Sequence, residues 1–130
     1  TLSQFDKLNK IQQNNILEYL QSCKLYKLTD KYILSHAGVD TSVYTNNLYI
    51  SEFMSLQTEE DLLWRQDFHN TRSLDDYTVI FGHINTVYMN KSNPMKIWHG
   101  KNKIGIDCGC GFKNGRLACL RLDDMREYYI

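Results

Sequence analysis

Lys31-Tyr32-Ile33-Leu34-Ser35-His36-Ala37-Gly38 is the stretch that organises the fold. Its β-branched and aromatic residues suit a pleated, half-buried surface, so it reads as a strand, and that strand ends on a histidine inside a turn of small residues. Just upstream, Lys24-Leu25-Tyr26-Lys27-Leu28 is a second strand-like run, and the Thr29-Asp30 dipeptide between the two makes them a hairpin. Further on, Tyr77-Thr78-Val79-Ile80-Phe81 reads as a buried strand that runs into Gly82-His83.

Around these strands the pattern changes. Leu2, Phe5, Leu8, Ile11, Ile16, Leu17 and Leu20 recur near a helical period, with Ser3 and Asp6 spaced as a capping pair, which predicts one amphipathic helix over 3–22. Residues 39–56, rich in Thr, Ser, Asn and Tyr, read as a surface loop or short helical turns. Thr58-Glu59-Glu60-Asp61 opens a second helix, its carboxylates matched to the N-terminal dipole, and Arg65 falls at or past its end. From Lys96 onward the chain is β-like: 96–99, a turn at Gly100-Lys101-Asn102, then 104–107, 116–122 and 126–130. The predicted class is α+β, a mixed and mostly antiparallel sheet with few helices, in one domain spanning 1–130.

Composition narrows the function. Lys plus Arg and Asp plus Glu are 15 each, so no global field favours nucleic acid or an acidic membrane, and any anion site is local. No apolar run approaches the roughly 20 residues of a membrane span, and the first residues lack the layout of a signal peptide. The chain therefore reads as soluble and cytoplasmic, with reduced thiols at Cys23, Cys108, Cys110 and Cys119.

Chemistry concentrates at strand ends. His36 and His83 each follow an apolar strand, where a rigid support presents side chains to a ligand, and imidazole is the commonest neutral ligand of divalent transition metals. One such turn alone reads as a histidine bonded to a neighbouring loop; two together point to a metal. Arg65 follows Leu62-Leu63-Trp64, which would hold its stem while the guanidinium forks toward a phosphate. The plainer alternative is an arginine paired with Asp61 or Asp67. His69 and His99 read as surface residues. Cys108-Gly109-Cys110 is closer than usual zinc spacing and reads as a glycine turn.

Taken in order, Tyr32 to Val39, Leu63-Trp64-Arg65, Thr78 to His83, and Ile104 to Cys110 leading into Gly115 to Leu122 resemble the C-terminal half of calcineurin-like metallophosphoesterases, of the bacterial serine/threonine phosphoprotein phosphatase type. The resemblance runs from the first residues to about Asp123. It implies half of a four-layer αββα sandwich and hydrolysis of a phosphoprotein or small phosphomonoester at a dinuclear site, holding manganese foremost, or iron or zinc. His36 and His83 are then ligands of the second metal and Arg65 contacts the substrate phosphate. Two metals clamp the phosphoryl group and generate a hydroxide for in-line attack. The N-terminal signatures GDxHG, GDxxDRG and GNHE, which would supply the other ligands and the catalytic His-Asp pair, are absent, and Ile84-Asn85 stands where the family often has Thr-Pro. The expectation is a chain that starts just after the GNHE region, lacks the N-terminal metal-binding half and any catalytic residue, is inactive alone, and self-associates through an exposed sheet face. The alternative is a non-catalytic binding or structural module that keeps this fold. A third reading is a small zinc domain using Cys108, Cys110 and a histidine.

Overall fold

Three short parallel strands form the centre of the molecule. In the computed structural model, which describes residues 2–130, β1 (Tyr26–Leu28) and β2 (Tyr32–Ser35) make the antiparallel hairpin, and β3 (Thr78–Phe81) lies parallel beside β2, Leu34 opposite Ile80. β4 (Trp98–Gly100) and β5 (Lys103–Gly105) form a second antiparallel pair, with β5 parallel to β3, so the sheet order is β1-β2-β3-β5-β4. β6 (Ala118–Leu120) and β7 (Glu127–Tyr129) make a separate antiparallel ribbon. The class is thus α+β with a mixed sheet and few helices. Antiparallel pairing makes three of the five strand pairs and parallel pairing the centre, where the near-continuous apolar run Val79-Ile80-Phe81 is buried on both faces, as parallel strands are. Parallel neighbours need a long crossover; between β2 and β3 it carries α3 (Ile50–Ser55) and α4 (Glu59–Leu63).

Each sheet face carries its own core. Ile33, Val79 and Phe81 pack with Phe53 and Met54 of α3, Leu62 of α4, Phe68 and Leu74. On the opposite face Ile80 and Ile104 pack with Ile97 and Cys108, and the β6–β7 ribbon adds Ala118, Leu120 and Tyr129. Both faces of the sheet thus carry apolar clusters, the second covered in part by the β6–β7 ribbon, where Leu117 and Tyr128 remain exposed. The N-terminal segment departs further from its pattern. It is two helices, α1 (Leu2–Phe5) and α2 (Lys10–Ser22), separated because Asn9 accepts from the Gln12 N–H and Gln12 answers back to the Asn9 N–H, a capping box that restarts the helix. Neither helix buries a residue, and Leu2, Ile11, Leu17 and Leu20 lie exposed. No helix among the described residues is long and apolar enough to cross a membrane.

A polar clasp joins the ribbon to the sheet. His99 Nε2 lies 2.6 Å from Glu127 Oε1, the Tyr129 hydroxyl donates to the other Glu127 oxygen, and the Ile97 N–H donates to the Tyr129 oxygen at 3.1 Å. Burial pushes the Glu127 carboxyl up, but its bonds from Tyr129 and His99 outweigh this and hold it below its ordinary 4.5. A depressed carboxyl contributes stability above its unfolded value and loses it as pH falls through the folded one. Amide protection factors in β6–β7, taken relative to the unstructured rate at each pH, are therefore expected to fall below pH 4.5 in the wild type, and to lose this acid dependence in Glu127→Gln; identical profiles for the two would contradict the clasp.

Candidate functional site

Because β2 and β3 are parallel neighbours, their C-terminal ends emerge side by side. The Gly82 N–H donates to the His36 carbonyl at 2.8 Å, which carries the pairing one step past the strands. His36 and His83 then meet, ring centres 5.1 Å apart and planes at 62°. His36 is exposed and His83 half-buried.

The backbone at His83 is unusual. Its φ is +65°, and the Ile84 N–H donates to the Gly82 carbonyl at 2.7 Å, the i to i+2 bond and positive φ of a γ-turn. A non-glycine residue held there costs roughly 1–3 kcal/mol, and such strain collects at ligand sites. His83→Gly is therefore expected to fold more stably than His83→Ala, by about 1 kcal/mol in urea titration, since both lose the ring but only glycine relieves the backbone. Equal midpoints would show that the turn is unstrained.

The third element of the rim is the end of α4. Thr58 and Asp61 form a reciprocal capping box that starts this helix, and the Ala37 N–H donates to the Leu62 carbonyl at 2.8 Å, tying it to the His36 turn. Trp64 follows, largely exposed, its ring edge-on to His83 at 6.0 Å. Arg65 is not free. Its Nη1 lies 3.3 Å from Asp40 and 3.2 Å from Asp61, and its Nε 2.9 Å from Asp67. Both plain partners named from sequence are present, and Asp40 joins them. Asp40 is held below its ordinary carboxyl value, first by the Ser42 N–H and also by the Ser42 hydroxyl and Arg65. Of the guanidinium nitrogens, Nη2 has no partner among the described residues.

No protein-family model matches the chain, and no curated protein matches it.

Two imidazoles sharing one ion, with metal–nitrogen bonds of roughly 2.0–2.1 Å, have ring centres roughly 5 Å apart, which the His36–His83 spacing fits. A full ligand set is another matter: among the described residues no three His, Cys, Asp or Glu side chains are grouped to hold a metal ion. Asp107, at the end of the next parallel strand, went unnoticed in the sequence. A Cβ built on Gly82 would lie 3.7 Å from its Cβ, but its carboxylate accepts from the Gly109 N–H at 2.9 Å. Strand-end position was the signal for it.

The cysteines do not form a centre. Cys108 is buried, which pushes its thiol up, while Cys110 is exposed, and the glycine between them has φ +70° with Asn85 Nδ2 only 2.2 Å from where a Cβ would be. Cys-Gly-Cys is a turn that only glycine permits. His99 is exposed, as the sequence suggests, but engaged in the clasp. His69 is not a surface residue: it is half-buried, its Nδ1 is enclosed without a partner, and burial, then the nearby Lys103 charge, lower its pKa.

Proposed function

We propose that this chain contributes one half-site to a metal-dependent phosphoesterase of the calcineurin-like type, and that it is part of a larger four-layer αββα catalytic unit. The observation that carries the reading is the meeting of His36 and His83 at adjacent parallel strand ends, with His83 in a γ-turn that costs energy to maintain. His36 and His83 would hold the ion, manganese foremost, with iron or zinc as alternatives, and Arg65 Nη2 would meet a phosphate oxygen. When bound, the metals would supply Lewis acidity. Asp40, Asp61 and Asp67 fix the guanidinium so that little side-chain freedom is lost when a phosphate arrives. Phosphoproteins and small phosphomonoesters are the substrate class. Two histidines are too few donors for two ions, so the 130 residues alone are expected to show no aryl-phosphatase turnover with manganese.

Titration with Mn²⁺ tests this. Saturable binding is expected, weakened about tenfold or more by either His36→Ala or His83→Ala and unchanged by His99→Ala. Binding that survives both of the first two substitutions would remove the metal reading.

A second reading, a non-catalytic module that keeps the phosphatase C-terminal fold, is favoured by one observation: three carboxylates around Arg65 make it a structural tie. With Mn²⁺ present, inorganic phosphate binding that drops on Arg65→Ala supports the enzyme; phosphate indifference together with lowered stability supports the module.

A further inference from the structure

β1 is an edge strand, and its first residue lies opposite Ser35, just before His36. Its Thr29 N–H donates to the Tyr32 carbonyl at 2.9 Å, which makes Thr29–Tyr32 a hydrogen-bonded pair. Antiparallel pairs alternate, so Lys27–Leu34 is bonded inward as well, and Tyr26 and Leu28 turn their N–H and C=O groups outward. A shallow groove of about 510 Å³ runs along β1 itself from Lys24 to Leu28, and a second of about 310 Å³ continues from Lys24 and Lys27 over Leu34, Ser35 and Leu63 to His36. Lys24 and Lys27 are exposed and have no ion-pair partner among the described residues, and no carboxylate lines either groove. The register that sets Tyr26 opposite Ser35 places Leu25 opposite His36, so the edge ends at the candidate metal pair.

We propose that this edge docks an extended acidic peptide as an added strand, which delivers the phosphorylated residue of a protein substrate toward His36 and His83. Outward backbone groups at Tyr26 and Leu28 hold the peptide main chain, the lysines take its carboxylates, and Leu25 supplies apolar contact. The delivery role rests on the phosphoesterase reading; the docking does not. The positive groove chooses the occupant: a basic segment would meet two unpaired ammonium groups, and an apolar one would leave them uncompensated.

The test is fluorescence anisotropy on the 130-residue chain with a labelled peptide of alternating Glu and Ser, beside the same peptide N-methylated at alternate residues. Saturable, salt-sensitive binding is expected, weakened about tenfold by Lys24→Glu with Lys27→Glu, whose sites are exposed and do not threaten folding. A similar loss is expected on N-methylation, which leaves the protein untouched. His83→Ala should keep the affinity within about twofold while losing Mn²⁺. Affinity indifferent to charge reversal or to N-methylation, or no binding at all, overturns the docking even if Mn²⁺ binds; intact docking with no Mn²⁺ binding sinks the metal reading alone.

Discussion

Gly38→Ala is expected to destabilise the protein by about 3 kcal/mol or more, with loss of a cooperative urea transition as an acceptable extreme. Gly38 has φ +132°, a region that L-residues rarely adopt, and a Cβ there would lie 2.4 Å from Phe68 Cγ. Phe68 cannot yield, because it is fully buried and packed edge-on against Phe81 with ring centres 4.9 Å apart. Backbone strain and overpacking each cost roughly 1–3 kcal/mol and here act together. The site shares the consequence: Gly38 closes the His36 turn, so the variant should also broaden the His36 resonances. A stable, wild-type-like Gly38→Ala protein would mean that the turn differs from the one described.

The second large effect is expected at Lys103. Its residue is 2% exposed, and its Nζ donates to the Phe68 carbonyl at 2.7 Å, the Thr71 hydroxyl at 3.0 Å and the Thr71 carbonyl, while sitting 4.6 Å from the Phe68 ring centre. Lys103→Met keeps the bulk but removes a buried charged donor: the Phe68 carbonyl keeps the Thr71 N–H and hydroxyl, while the Thr71 carbonyl loses the ammonium, so a loss of about 1–3 kcal/mol is predicted from denaturant titration. Burial pulls the ammonium from its ordinary 10.5 to about 8. Between those values the unfolded chain binds more protons than the folded one, so the stability of wild type relative to Lys103→Met should rise with pH across that window. A flat difference would show that the ammonium is better solvated than its surroundings imply.

Much of the site was legible because it lies on short apolar runs with abrupt ends. Tyr32–Ser35 and Thr78–Phe81 are strands, each followed by its histidine, and Thr58 starts α4 as its capping pattern says. Sheet order was not legible: periodicity reports which residues are buried, and nothing in Val79-Ile80-Phe81 says whether its neighbours run parallel. The restart at Asn9 was missed because Leu8 and Ile11 continue the apolar spacing across it, while the Asn9 side chain competes for the helix start. Phe53 and Met54 sit in a stretch without periodic pattern, and α3 is too short to display one. At Arg65, Asp61 and Asp67 are sequence neighbours and were visible; Asp40 reaches it only through folding. The γ-turn at His83 has no sequence signal, since non-glycine residues seldom adopt it.

The central claim is that His36 and His83 act as one divalent-metal half-site. Its most direct measurement is the paramagnetic broadening of imidazole resonances as Mn²⁺ is added to the 130-residue protein. The account predicts that His36 and His83 broaden together and first, along one binding curve, with His99, on the far edge of the sheet, following only at higher Mn²⁺. Broadening of His36 and His83 along separate curves, or of His99 as early as either, would contradict it.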